Sequence, residues 1–437
     1  MRTSKSEPAS SANGLTLEQK RTLYRDGYIV LRKAVAEEQA NAALAKISEA
    51  KKGEYIGGEK VMLDLINASS ITPILNDAMG EFDPPIACQV GVTPVSKPNG
   101  RFTNLGYRDE DLPYYSAGTH MDGSITIAAP QEVQTGTPEE IYARHFASGP
   151  KGDLGRSPDV IGHNMVPMFE DPEMTLALGS FTAFVFICLN DQTIEGRGQT
   201  AVLRGAHHAM EKFFRMQYET NGHLGPEGPE WPRLDYDCPN RCGMVYVPQS
   251  VQDQFIDETS ESTPDGKKWP RPTQVLMDKG DACITLYHIP HSGTRNEFGT
   301  ESRKNMIFRI RNKKRQPDVM VNGISDHPDR GQRGEWLKFE EGNDPWERSK
   351  YAMCNMWHEW EGMREIVAEQ QALKKGAPMI NTDTLTIPTT LTLDQKRSLY
   401  KDGYIILRNA VSAKLVQGRW IEFTGLNGEK TSEVNRQ

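Results

Sequence analysis

The chain opens on two helical patterns with an alternating one between them. LTLEQKRTLY at 15–24 begins with a threonine ahead of a helical run, and Thr16 followed by Gln19 has the spacing of a capping box. Asp26-Gly27 then predicts a turn and YIVLRKAV a strand. Beyond it Ala40, Ala43, Leu44 and Ile47 recur at helical spacing and predict a helix over 36–52. Downstream come short strand candidates: PIACQVGVTPV at 85–95, SITIAA at 124–129, SFTAFVFICL at 180–189, TAVLRG at 200–205, CGMVYVPQ at 242–249, DACITLYHI at 281–289 and KNMIFRIR at 304–311. This density of short β-branched and aromatic runs predicts a mainly β sandwich or barrel, not the strand–helix alternation of a doubly wound sheet.

Two stretches interrupt that core and read as long insertions: 130–179, rich in Pro, Gly and charge, and 209–280, aromatic and proline-heavy. From about 343 to 375 the pattern predicts a helix or helix pair, with Asp344 as its cap and Pro345 at the first helical position. Residues 376–390 read as a linker. The chain then repeats itself: LTLEQKRTLYRDGYIVLRKAV at 15–35 returns as LTLDQKRSLYKDGYIILRNAV at 391–411, every change conservative except Lys33 to Asn409. No His-x-Asp follows the copy, so 391–437 reads as a truncated repeat without a site of its own. The main domain is therefore expected over 15–375, after a small, polar start at 1–14 that has no apolar signal segment.

Composition narrows the partners. A formal charge of −8 without a basic run argues against nucleic acid. No stretch approaches the ~18 consecutive apolar residues of a membrane span. The six cysteines are scattered, and only Cys238 and Cys242 lie close, with no second pair to complete a zinc site. Cysteines in runs such as AFVFICL behave as small core residues. A reducing, cytoplasmic setting is expected, with a second copy of the chain as a possible partner.

The candidate chemistry lies in His120-Met121-Asp122, His291-Ser292-Gly293 and Arg303. On a strand, residues two apart share a face, so His120 and Asp122 can reach one metal ion from one strand. With His291 they make the two-histidine, one-carboxylate set that suits non-haem Fe(II) and leaves sites open for substrate and oxygen. Arginine at 303 suits a carboxylate, because its planar fork donates two parallel hydrogen bonds. Rivals exist. His288 lies three positions before His291, hence on the opposite face of an extended segment, and reads as a packed core histidine. His327-Pro328-Asp329 is a second His-x-Asp, but only His358 follows it, so it reads as a turn.

In order and context these segments resemble the phytanoyl-CoA dioxygenase-like Fe(II)/2-oxoglutarate oxygenases. The resemblance runs through DGYIVLR, His120-x-Asp122, FVFICLND, EGRGQTAVLRGAHH and H-S-G followed by R-K-N-M-I-F, and it covers about 15–312 in segments. Gly198 and Gly205 occupy the family's glycine positions, while Arg204 stands where the family has proline. The resemblance implies a double-stranded β-helix (jelly-roll, cupin-like) core with flanking helices. It implies His120, Asp122 and His291 as iron ligands and Arg303 as the partner of the distal 2-oxoglutarate carboxylate. Fe(II), 2-oxoglutarate and O₂ would be the cofactors. Gln89 and Phe184 are candidates to line the cosubstrate pocket and Arg309 to contact an acidic substrate; His207 and His208 fall where the family's histidine is structural. Family halogenases carry a small residue in place of the carboxylate at 122, so Asp122 points to hydroxylation or a related oxidation (desaturation, cyclisation). A non-catalytic binding protein and an iron oxygenase independent of 2-oxoglutarate remain the alternatives. The substrate is not legible, since the insertions that would select it match nothing recognisable.

Overall fold

The computed structural model describes residues 14–103, 105–115, 117–122, 174–177, 181–221, 224, 230, 244–313, 335–338, 341, 344–374, 419–421 and 433–435. For 122, 174–177, 221, 244–246, 335–338, 345, 348–349, 373–374, 419–421 and 433–435 it describes the backbone alone. SITIAA at 124–129, Cys238, Cys242, His327, Asp329 and the copy at 391–411 lie outside the described residues. The chain divides into two compact units, Met1–Ile366 and Val367–Gln437.

In the first unit the capping box forms as its spacing predicts: Gln19 N donates to Thr16 Oγ1 at 3.2 Å and Thr16 N to Gln19 Oε1 at 2.8 Å. Helix α1 (Leu17–Asp26) starts there and stops at Gly27, whose φ of 80° is the left-handed value that favours glycine. Strand β1 (Tyr28–Leu31) and helix α2 (Glu37–Glu49) follow. The hydrophobic pattern gives no element between 53 and 84, yet helices α3 (Lys60–Asn67) and α4 (Ile71–Met79) form there. Their apolar runs are too short for periodicity to separate helix from strand. What fixes them is burial: Met62, Leu65, Ile66, Ile71, Ile74 and Leu75 are all sealed from solvent.

Two five-stranded antiparallel sheets make the core. The first joins β1 to β11 (Ala282–Leu286), β5 (Ala183–Cys188), β13 (Arg303–Ile310) and β2 (Gln89–Thr93), in that order. The second runs β10 (Thr273–Gln274), β6 (Thr200–Val202), β12 (His291–Gly293), β3 (His120–Asp122) and β7 (Met244–Tyr246). Smaller ladders pair β14 (Glu335–Lys338) with β4 (Met174–Ala177) and β8 (Glu261–Ser262) with β9 (Lys268–Trp269). Antiparallel sheets with flanking helices are the mainly β architecture that the strand density predicts. Strand β5 is buried at all six positions, as a central strand covered on both faces must be. The presumed 209–280 insertion is part of the core at three places: helix α5 (Ala206–Asn221) runs into it and buries Met210, Phe213 and Phe214, and β7 and β10 form the two edges of the second sheet.

The predicted C-terminal pair begins with the helix Pro345–Cys354, whose first N–H groups Asp344 caps. A further helix spans Arg364–Lys374. In the second unit β15 (Arg419–Ile421) pairs with β16 (Glu433–Asn435). No helix among the described residues is long and apolar enough to cross a membrane.

Candidate metal and cosubstrate site

Strands β3 and β12 are neighbours, and their register places His120 directly opposite His291. Paired residues of an antiparallel ladder project to the same face, and here the two imidazole centroids are 4.8 Å apart at 55°. Each ring is held by its other nitrogen. His120 Nδ1 lies 2.8 Å from the Gly118 carbonyl, and His291 Nδ1 lies 3.1 Å from that of Ile289. A carbonyl can only accept, so each Nδ1 carries a proton, and in the neutral ring the lone pair is on Nε2. This is how metal-binding histidines are oriented. Asp122 follows on the same strand, its backbone opposite Met244; its side chain lies outside the described residues.

The pair looks across to the first sheet. The His291 ring stands 5.1 Å from the Phe184 ring and 6.0 Å from that of Phe186. Phe184 is paired with Arg309 and Phe186 with Ile307, so Arg303, Asn305, Ile307 and Arg309 run along the same inner face of β13. The matching face of β2 carries Gln89, Gly91 and Thr93. Gln89, Gly91, Thr93, Ile307 and Arg309 are half-buried, whereas Arg303 and Asn305 are buried.

Arg303 is buried. Its Nε and Nη2 donate to Thr93 Oγ1 at 3.0 and 2.7 Å, and among the described residues it pairs with no carboxylate. Burial pushes its pKa down to about 10, which leaves it charged at neutral pH. Gly198 makes room for it on one side, and Gly91 lies in ordinary contact on the other. A Cβ at Gly198 would lie 3.3 Å from the Arg303 Cβ, and one at Gly91 would lie 3.7 Å from Nη2. With the Asn305 amide turned so that its oxygen faces the guanidinium, that oxygen accepts from Arg303 Nη1 at 3.1 Å; the charge itself meets no anion among the described residues, and a buried cation in that state is costly.

Arg309 occupies the other end of that row. Its guanidinium lies 5.0 Å over the Phe184 ring and 5.8 Å over that of Phe181, and Nη2 donates to Gln89 Oε1 at 3.3 Å. Among the predicted residues, His120, His291, Phe184, Arg309 and Gln89 thus form one chain of contacts, with Arg303 further along the same strand face. Sequence reasoning missed Gly91 and Thr93. The alternation Gln-x-Gly-x-Thr at 89–93 carries that signal, since all three share the face of the residue it did single out.

The rival histidines have other work. His288 is buried, within hydrogen-bond distance of the Met353 carbonyl at 3.2 Å. His207 and His208 both lie with Nε2 2.9 Å from the Tyr24 carbonyl and so fasten the end of α1. Arg204, which departs from the resembled family, bonds Asp26 at 2.8 Å in the same clamp. Arg295 pairs with Glu297 and with the Asp109 carbonyl, which ties down the connection between β12 and β13.

No protein-family model and no curated protein matches the sequence. Among solved structures the chain is similar to iron-bound HygX from Streptomyces hygroscopicus, with 10% identity over 75% of this chain and 97% of that one, at a TM-score of 0.33. It is similar to GIG2 (DUF1479) from Candida albicans at 12% identity over 85% and 84%, with a TM-score of 0.38. EvdO2 from Micromonospora carbonacea var. aurantiaca, complexed with 2-oxoglutarate, gives 10% identity over 69% and 93%, with a TM-score of 0.33.

Proposed function

We propose that this chain is a non-haem Fe(II)/2-oxoglutarate-dependent oxygenase that oxidises a small-molecule metabolite, on a core of the double-stranded β-helix type. The observation that carries the reading is the cross-strand histidine pair. His120 and His291 stand opposite each other, and each keeps its Nδ1 proton on a backbone carbonyl. Both Nε2 lone pairs therefore belong to rings of fixed tautomer on one sheet face, which fits a metal ion. Asp122, two residues on, would be the carboxylate of the set. The buried Arg303 beside Gly198 fits the distal carboxylate of a 2-oxo acid.

Bound together, Fe(II) and 2-oxoglutarate supply the activation of O₂, with the 2-oxo acid converted to succinate and CO₂ and oxidising power left for the substrate. The chain's own residues do the rest. His120, Asp122 and His291 would hold the metal; Arg303 would orient the cosubstrate, with Thr93 holding the guanidinium in place. Phe184 and Phe186 stand beside the His291 ring and would help to exclude water there. Arg309, with Gln89 beside it, would bind an acidic group of the substrate. Asp122 favours hydroxylation, and desaturation or cyclisation would use the same site. A reducing, cytoplasmic setting is part of the proposal, supported by the buried free thiols Cys88, Cys188, Cys283 and Cys354.

The test is release of succinate from 2-oxoglutarate by the Fe(II)-loaded protein across fractionated metabolite pools. A fraction that raises release above the His120→Ala background supports the reading and identifies the substrate. If no fraction does so, and the protein binds Fe(II) without responding to 2-oxoglutarate, it belongs to a different class of iron protein.

A further inference from the structure

The repeat at 391–411 gains a meaning from the way residues 15–35 are seated. Strand β1 is the edge of the first sheet, in register with β11: Tyr28 opposite Thr285, Ile29 opposite Ile284, Val30 opposite Cys283 and Leu31 opposite Ala282. The buried Asp26 carboxylate takes Arg204 Nε at 2.8 Å and Arg25 Nη2 at 2.7 Å. His207 and His208 meet the Tyr24 carbonyl. Asp281 receives Arg32 Nη1 at 2.8 Å and Lys33 N at 2.9 Å. The seat is also selective at one point. A Cβ on Gly27 would lie 2.5 Å from His207 Nδ1 and 2.7 Å from Ile289 Cδ1.

Set against this burial map, the copy is not a random relic. Every buried position of 15–35 (Leu15, Leu23, Tyr24, Asp26, Gly27, Ile29, Leu31, Ala34, Val35) recurs unchanged as Leu391, Leu399, Tyr400, Asp402, Gly403, Ile405, Leu407, Ala410 and Val411. The changes, Glu18 to Asp394, Thr22 to Ser398, Arg25 to Lys401, Val30 to Ile406 and Lys33 to Asn409, all fall at exposed or half-buried positions. Thr392 and Gln395 repeat the capping box, and Lys401 keeps a cation beside the carboxylate. Even the one non-conservative change suits the seat. Lys33 has φ 51°, a left-handed conformation, and asparagine tolerates it better than lysine.

We propose that residues 391–411 are a second edge segment matched to the same seat, able to dock on β11 and the Arg204–His208 clamp in place of residues 15–35. The inference rests on the repeat and the burial map, and is independent of the iron chemistry. It makes the edge of the first sheet exchangeable: two segments compete for one position.

The full-length chain tests this with a cross-link. Ile406 corresponds to Val30, which faces Cys283 across the ladder, and paired Cα atoms at ladder spacing are within disulfide reach. In a chain carrying Ile406→Cys, mild oxidation should join Cys283 to the new thiol. The yield should rise several-fold when Gly27→Val weakens the resident segment and fall again when Gly403→Val is added. If Gly27→Val prevents folding, Gly27→Ala serves as the milder lesion. A link within one chain and a link between two chains both support the exchange, and a non-reducing gel distinguishes them. No link in either background, or a yield indifferent to both glycine substitutions, overturns it.

Discussion

His120 and His291 are direct partners across the β3–β12 ladder, and their rings lie 4.8 Å apart although 170 residues separate them in the chain. Both Nδ1 atoms are taken up by carbonyls two residues earlier in sequence, Gly118 and Ile289. The same local device is therefore used twice, once on each strand. Replacing either histidine with alanine should lower Fe(II) affinity by at least ~100-fold while the far-ultraviolet circular dichroism stays native. Isothermal titration under anaerobic conditions measures this, and unchanged affinity in either variant would remove that ring from the site.

The two arginines of β13 should separate kinetically. Arg303→Gln removes the buried cation and should raise the KM for 2-oxoglutarate by ~10–100-fold, the scale of a lost charge-assisted hydrogen-bond pair. Arg309→Gln should instead raise the KM for the oxidised substrate. Phe184 touches both Arg309 and His291, which puts the second arginine one ring away from the histidine pair. The reverse kinetic pattern would exchange their roles.

Gly198 is held at φ 79°, and an added Cβ would lie 3.1 Å from the Asn296 Cβ and 3.3 Å from that of Arg303. Gly198→Ala should cost about 1–3 kcal/mol through the left-handed backbone alone, before any steric shift. Thermal unfolding measures the loss, and a variant as stable as the parent would show that this turn can relax.

Asp26 predicts an acid-sensitive clamp. Burial alone would push its carboxyl up, but hydrogen bonds from Arg25 and Arg204 outweigh that and hold it below its ordinary value of 3.8. A depressed folded-state pKa contributes stability that is present above the unfolded value and lost as pH falls through the folded one. The stability gap between the parent and Asp26→Asn should therefore hold at neutral pH and close below about pH 4. Denaturant titrations across that range check it. A gap that widens in acid would contradict the assignment.

How much of this was legible in the sequence differs by element. The capping box at Thr16, the strand at 183–188 and the Asp344 cap follow from local chemistry, so a sequence carries them openly. Helices α3 and α4 do not, because short apolar runs are fixed by what buries them and not by their own period. The histidines and Arg303 were visible as residue types in the right order. The pairing of His120 with His291 is a property of sheet register, which no local pattern encodes. Gly91 and Thr93 went unseen for a related reason: their importance comes from the arginine on the neighbouring strand.

Whether these residues assemble one iron and 2-oxo acid site is decided by an anaerobic titration. Fe(II) and 2-oxoglutarate added together to the full-length protein should produce a charge-transfer band near ~500 nm that neither gives alone, as expected of a chelating 2-oxo acid on Fe(II) in an N/O site. The band should be absent in His291→Ala and in Asp122→Ala, and should need far more 2-oxoglutarate in Arg303→Gln. A band of parental strength in His291→Ala, or none in the parent itself, would contradict the account.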